Sequence, residues 1–77
     1  MSRYPFDSKV DGELVKRFTY HRPIDDQPDR YEQIRARAYD FGVFLNTNCP
    51  QSRELSLAMT KLEEAVMWAN AAIARNE

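Results

Sequence analysis

The clearest pattern along the chain is a regular spacing of apolar residues in its last third. The series steps by four and three residues and consists of Leu55, Met59, Leu62, Val66, Ala69 and Ile73. This spacing places all six on one face of a helix. Ser52 is a suitable N-cap, and Glu54 and Arg75 have the charges that the two ends of a helix dipole favour. The pattern therefore predicts a helix over Ser52–Asn76.

A second apolar series precedes this helix. It consists of Tyr31, Ile34, Ala38, Phe41 and Leu45. It predicts a helix from about Gln27 to Leu45, with Asp26 as its cap and Pro28 tolerated in its first turn. Gly42 is unfavourable inside a helix, so it indicates either a bend or the close approach of another backbone. Residues 46–50 (NTNCP) break the pattern, so the two helices should fold back as an antiparallel hairpin.

The first 25 residues are less regular. Ser8–Asp11 has the spacing of a capping box, which predicts a short helix up to about Arg17, although Gly12 weakens it. Phe18–His21 is expected to be extended. The predicted fold is thus all-α and forms a single domain over residues 1–77: an N-terminal arm or short helix in residues 1–25, then a hairpin of two long helices in residues 26–77.

The last helix has more apolar surface than one partner helix can cover. Residues off its apolar face include Leu57, Met67, Trp68, Ala71 and Ala74, and Asn70 is the only polar residue between positions 65 and 74. Either the N-terminal arm covers this surface within one chain, or copies of the chain bury it between them. We favour a homo-oligomer, because domains of this size commonly need such added stabilisation.

Composition argues against several classes of function. The chain has 77 residues, with 11 Lys and Arg against 12 Asp and Glu, and this balance disfavours binding to DNA or RNA polymers. No apolar stretch is long enough for a membrane span or a secretion signal, so we expect no membrane association and no secretion. One cysteine and one histidine cannot form an intrachain disulfide or a zinc site. Neither a cofactor motif nor a nucleophile–base pair is present, so we expect no cofactor and no enzymatic activity.

The segment Lys16–Arg22 (KRFTYHR) is the densest cluster of candidate binding residues. Cations interleaved with aromatic rings suit a nucleotide, because cations bind phosphate and rings stack on bases. Alternatively, the segment is solvated, and Phe18 and Tyr20 only anchor the arm to the hairpin. The residues alone favour this second interpretation.

The two long helices carry further cations. Arg30, Arg35 and Arg37 could clamp phosphate, but on spacing alone ordinary surface pairs, such as Glu32 with Arg35, are favoured. On the last helix Lys61, Trp68 and Arg75 are seven residues apart in turn and face the same way. They form either a stacking platform or an interface tryptophan between two long cationic side chains.

Two stretches resemble a known family. They are Phe18–His21 (FTYH) with Asp26–Arg35 (DQPDRYEQIR), and the segment Ser52–Asn76. Together they resemble the phage anti-CBASS cyclic-nucleotide sponges and the related hairpin domain of the Thoeris anti-defence sponges. The resemblance covers residues 18–77. It implies an all-helical homohexamer without catalysis that acts in the host cytoplasm. Such a protein binds cyclic di- or trinucleotide messengers of host immunity between its subunits and keeps them from their effectors.

The same resemblance suggests roles for six residues. Tyr20 matches the aromatic residue before the first long helix, and Arg35, with Arg37 as the second match, corresponds to a basic residue that meets phosphate. A separate pocket for larger cyclic nucleotides would involve Arg53, Thr60 and Lys61. The alternative hypothesis is a helical protein–protein interaction module that binds no nucleotide.

Overall fold

The computed structural model describes Tyr4 and residues 7–77, and its regular elements are three α-helices. They are α1 (Ser8–Phe18), α2 (Gln27–Asn48) and α3 (Arg53–Asn76). No strand occurs in this part of the chain, so the predicted all-α class is confirmed. None of the three helices is both long and apolar enough to cross a membrane.

Helix α3 begins and ends where its sequence pattern predicts. The Ser52 hydroxyl accepts a hydrogen bond from the Leu55 N–H at 3.1 Å, which satisfies one of the unpaired donors of the first turn. Leu55 is only 5% exposed, so the cap and the first core contact lie side by side. Arg75 lies in the last turn, where a cation is favoured.

Helix α2 begins at Gln27 as predicted but ends one turn later than expected, at Asn48. Two side chains of this extra turn bond back to the Phe44 carbonyl: Asn48 Nδ2 at 2.8 Å and Thr47 Oγ at 3.0 Å. Asp26 occupies the N-cap position, as predicted, but its side chain does not cap the helix. Its carboxylate accepts no hydrogen bond from the first turn and instead lies 3.3 Å from the Arg30 guanidinium.

Helix α1 is capped by Asp7 rather than by Ser8. The Asp7 carboxylate accepts a hydrogen bond from the Val10 N–H at 2.9 Å, so the predicted helix is present but its cap lies one residue earlier. Phe18 is the last helical residue, and the prediction that it is extended is therefore wrong. Thr19 is extended, with φ −89° and ψ 134°.

The core of the hairpin is a single seam between α2 and α3. All six predicted α3 positions are buried or half-buried, and on α2 the half-buried positions are Arg30, Tyr31, Ile34, Ala38, Gly42 and Leu45. Phe41 was expected in this seam, but it is 50% exposed and stacks on Phe44, with ring centroids 6.3 Å apart. Gly42 takes its place, and the nearest atoms to the position of an added Cβ are Leu62 Cδ2 at 3.6 Å and Met59 Sδ at 3.9 Å. Gly42 thus faces side chains of α3 rather than another backbone.

The isolated chain is one helix layer thick. Its principal extents are 54 × 36 × 14 Å, and the shortest of them is close to the diameter of one helix, about 10–12 Å. Its accessible surface is 6749 Å², whereas a compact protein of 9.0 kDa exposes about 4,900 Å². The excess of about 1,900 Å² is larger than the roughly 800 Å² that each partner buries in a standard protein–protein interface.

Helix α1 adds little to the core because it turns its polar side toward its own chain. Glu13, Lys16 and Arg17 lie beside the C-terminal end of α3, and no residue of α1 is buried. The apolar residues of α1 are all exposed: Val10, Leu14, Val15 and Phe18. An apolar stripe turned away from its own hairpin is suited to packing against another molecule.

Candidate functional site

An apolar groove runs along one side of the hairpin. We call it the Arg35 groove; its volume is about 610 Å³, within the range of small-molecule sites. Its floor includes Ala38, Leu62 and Val66 of the seam. Its polar side chains are Arg35, Tyr39, Asn46 and Thr47 of α2 and Glu63 of α3. The surface of the groove is almost entirely apolar, so these five side chains border it mainly through their carbon atoms.

Arg35 and Tyr39 reach this groove because they are four residues apart on α2 and share a face of the helix. Their shared face is visible in the sequence, yet the aromatic residue predicted to act with Arg35 was Tyr20. The structure places Tyr39 beside Arg35 within one chain. The i, i+4 spacing was the signal that could have identified Tyr39.

The Arg37 side chain lies on the other side of the hairpin. There it lines a smaller groove of about 310 Å³ together with Ile34 and Phe41 of α2 and two alanines of α3. The two grooves share the floor residues Ala38, Leu62 and Val66. Arg35 and Arg37 therefore lie on opposite sides of the seam.

Tyr20 lies in the linker between α1 and α2 and is 82% exposed. It does not line the Arg35 groove, which begins about 12 Å along the axis of α2 from its first residue, at 1.5 Å per residue. The linker ends in a turn closed by the Gln27 N–H, which donates to the Ile24 carbonyl at 3.0 Å. In this turn Asp25 adopts a φ of 52°, a left-handed conformation that aspartate tolerates better than most residues.

A polar clamp holds the end of this linker to the end of α3. Gln27 is only 5% exposed; its side-chain oxygen accepts from the Ile24 N–H at 3.1 Å, and its Nε2 donates to Glu77 at 3.2 Å. Arg30 donates to the other Glu77 oxygen at 2.9 Å and also pairs with Asp26. The clamp, defined as Gln27, Arg30 and Glu77, closes the open end of the hairpin.

The clamp shifts the titration of both charged partners. Hydrogen bonds, first from Arg30 and then from Gln27, lower the pKa of Glu77 to about 2. The hydrogen bond to Glu77 also raises the pKa of Arg30 above its already high usual value. Both groups are therefore charged at neutral pH. Sequence reasoning did not identify this clamp because its partners are about 50 positions apart in the sequence.

The three candidates on α3 for a second pocket are all exposed and line neither groove. The Thr60 hydroxyl donates back to the Ser56 carbonyl at 3.2 Å. Lys61 Nζ lies 3.7 Å from Glu64 Oε1, an exposed i, i+3 pair. Arg53 is the first residue of α3. Within one chain these residues do not enclose a cavity.

A basic notch of about 300 Å³ lies between α1 and the end of α3. Trp68 and Arg75 line it together with Lys16 and Arg17 of α1, and Arg17 Nε lies 4.0 Å from a Glu13 carboxylate oxygen. Of the predicted Lys61, Trp68 and Arg75 group, Lys61 lies elsewhere. The notch joins the cationic end of α1 to the tryptophan of α3.

Among Tyr4 and residues 7–77, no group of three or more His, Cys, Asp or Glu side chains could hold a metal ion. Cys49 is exposed and forms no disulfide.

Comparison with known proteins gives a match to one family. The family model described as "Acb2/Tad1, hairpin domain" matches residues 11–74, which run from within α1 almost to the end of α3. No curated protein and no solved structure matches the chain.

Proposed function

Since this chain belongs to the Acb2/Tad1 hairpin family, whose members are known for a sponge-type role against host defence, we propose that it binds and sequesters cyclic oligonucleotide messengers of anti-phage immunity. The family match over 64 of 77 positions, counted from 11 to 74, is the observation that carries this proposal. In this function the protein binds cyclic di- or trinucleotides in the host cytoplasm and releases them unchanged.

The Arg35 groove is the proposed place for a cyclic dinucleotide. Its apolar floor suits the faces of bases, and the Arg35 guanidinium can form charge-assisted hydrogen bonds with a phosphate. Tyr20 would stack on a base from a second copy of the chain, because it does not line the groove of its own chain. Arg37, on the opposite side of the hairpin, is a second candidate for contact with phosphate.

The proposed working form is a homo-oligomer, and the family resemblance favours a hexamer. Two features of the isolated chain support assembly: its excess exposed surface and the apolar stripe of α1 that faces away from its own hairpin. A two-fold interface would supply one aromatic ring and one cation from each copy, which matches the near two-fold symmetry of a cyclic dinucleotide.

A second kind of pocket, for cyclic trinucleotides, is proposed around Arg53, Thr60 and Lys61. All three side chains are exposed in the isolated chain, so copies of the protein would have to complete the pocket. Replacing Arg53 or Lys61 should then weaken trinucleotide binding and leave dinucleotide binding unchanged.

The competing function is a helical interaction module that binds a protein partner. It is favoured by the exposure of large apolar side chains on α3, above all Trp68 at 64%. Thermal shift with a panel of cyclic nucleotides separates the two functions. A ligand at 1,000 times its Kd should stabilise a sponge by about 4 kcal/mol. If no cyclic nucleotide shifts the melting temperature, the interaction module becomes the better explanation.

The residues of the site are tested by calorimetry on variants whose oligomeric state has been checked. Tyr20→Ala or Arg35→Ala should weaken dinucleotide binding by roughly 2–5 kcal/mol, since each residue would act twice in a symmetric site. Lys9→Ala, which removes one exposed cation of α1 outside the groove, is the control and should bind like the parent. If both site variants also bind like the parent, the placement of the pocket is wrong. Ligand recovered in a chemically changed form would contradict sequestration without catalysis.

A further inference from the structure

Two apolar hollows lie outside the Arg35 groove. The first is the smaller groove of about 310 Å³ beside Phe41 and Arg37. The second has a volume of about 420 Å³ and lies at the turn, where it is bordered mainly by apolar residues: Leu45, Cys49, Pro50, Leu55 and Ala58. The surface of both hollows is mostly apolar, which suits contact with another apolar surface.

The two hollows follow one another along the side of the hairpin opposite the Arg35 groove. On α2, Leu45 of the second hollow comes four residues after Phe41 of the first, about one turn, so the two residues share a face. On α3, Ala58 and Ala65 are seven residues apart, about two turns, and share a face for the same reason. We call this side the Phe41 face, and it consists of Phe41, Phe44, Leu45, Ala58, Ala65 and Ala69.

The Phe41 face is raised along α2 and low along α3. Phe41 and Phe44 are 50% and 57% exposed, and their rings lie nearly parallel, with an angle of 13° between them. The α3 residues of this face are alanines, whose side chains project little. Large aromatic rings in water are unfavourable, and they gain most from burial in a hollow of matching shape.

A face with this shape is complementary to itself. When a second copy is turned by 180° about an axis along the hairpin, the aromatic pair of each copy lies over the alanines of the other. The raised side of one hairpin then enters the low side of the next, as the ridges of one helix enter the grooves of another. In this arrangement α2 of each copy runs antiparallel to α3 of the other, and the four long helices form a bundle.

The exposed surface of the chain is large enough for this pairing. The excess of about 1,900 Å² over a compact protein exceeds the roughly 800 Å² that each partner buries in a standard interface. The charged residues that border the hollows are Arg37 in the first and Glu54 in the second, so they lie on either side of the aromatic pair. An apolar centre with charges toward the edge is typical of protein–protein interfaces.

We propose that two copies of the chain pair through the Phe41 face, with Phe41 and Phe44 of each copy packed on the α3 alanines of the other. This inference rests on the proposed homo-oligomer and names one of the surfaces that forms it. The Arg35 groove remains on the outer side of each hairpin, open to a ligand and to further copies. Pairing and the binding of ligand in that groove would thus use opposite sides of the hairpin.

Sedimentation of variants tests the role of the aromatic pair. Phe41→Gln and Phe44→Gln should each raise the dissociation constant of the pair at least about thirtyfold, the loss typical of a central aromatic residue of an interface. Both rings are half exposed in the single chain and glutamine favours the helix, so circular dichroism should still show a helical protein. Tyr39→Gln is the matched control, because Tyr39 is an exposed aromatic residue of the same helix that borders the Arg35 groove. It should sediment like the parent.

Photo-crosslinking identifies what covers the face without removing an aromatic ring. With p-benzoylphenylalanine in place of Phe41, light should join two chains, and trypsin should then release the crosslink on a peptide of α3, residues 54–61 or 62–75. A crosslink to α1, residues 10–16, would show that the apolar stripe of α1 covers this face and would overturn the pairing. So would crosslinks confined to single chains or to a different protein.

These measurements contain no nucleotide, so their outcome is independent of sequestration. A parent that sediments as a 9.0 kDa monomer, or a Phe41→Gln protein that sediments like the parent, would overturn pairing through this face. Thermal shift would then still decide whether the protein binds cyclic nucleotides. A parent that pairs through this face but is stabilised by no cyclic nucleotide would support the pairing and contradict the sponge function instead.

Discussion

Replacing Gly42 by alanine should stabilise the hairpin. Alanine is favoured over glycine inside a helix by about 1 kcal/mol, partly because glycine leaves the unfolded chain more freedom. The new methyl group would lie 3.6 Å from Leu62 Cδ2 and 3.9 Å from Met59 Sδ, both ordinary contact distances. No neighbour therefore has to move, and the methyl group gains contacts with the seam.

The expected gain is about 0.5–1 kcal/mol, which corresponds to a rise of about 2–8 °C in Tm for a domain of this size. Thermal and urea unfolding followed by circular dichroism measure it. Gly12→Ala is the matched control: an alanine there meets nothing within 4 Å and lies in α1, outside the seam. It should add helical signal without raising the Tm of the hairpin.

A Gly42→Ala protein that melts below the parent would refute this reasoning. Such a result would point to a second copy of the chain whose atoms lie close to Gly42, since the approach of another backbone was one of the two interpretations of this glycine, beside a bend. Sedimentation of the variant at the same concentration would then reveal a change in assembly.

Two further predictions concern the ends of the hairpin. Leu55→Ala should destabilise the hairpin by about 2–5 kcal/mol in urea unfolding, since Leu55 is the most buried apolar side chain described, and the same change at the exposed Leu57 should cost less. The clamp should weaken in acid: because the pKa of Glu77 is lowered in the folded state, its contribution to stability is complete above the usual pKa of 4.5 and disappears as the pH falls toward 2. As the pH falls from about 4.5 toward 2, the melting temperature of the parent should therefore decline more steeply than that of Glu77→Gln. Parallel pH profiles would contradict the clamp.

The sequence predicted the fold best where one local pattern was sufficient. All six α3 positions selected by the spacing of apolar residues are buried or half-buried, and Ser52 caps that helix as predicted. On α2 the same reasoning placed Phe41 in the seam, whereas the next residue, Gly42, lies there. Neighbouring residues of a helix point in directions that differ by about 100°, so an error of one position turns the predicted face by that angle. In the structure Gly42 is the residue that faces Leu62 and Met59.

The site was harder to predict because its parts depend on contacts between distant residues. Arg35 and Tyr39 share a helix face that can be read from their spacing, but Glu63 joins them only through the register of the two helices. Gln27 and Glu77 are 50 positions apart, and no local pattern connects them. Asp26 has the residue type of a cap, yet Arg30 competes for its carboxylate.

The two ends of the hairpin have a consequence for how quickly binding sites form. The turn at residues 49–52 joins neighbours in sequence, whereas the clamp joins residues 50 positions apart. Short loops close at a lower cost in entropy than long ones. The contacts between α2 and α3 should therefore form first near the turn and last at the clamp. Such local helical contacts form quickly, while the meeting of copies depends on their concentration. For sites formed between copies, the rate of synthesis of the protein would then determine when sequestration begins.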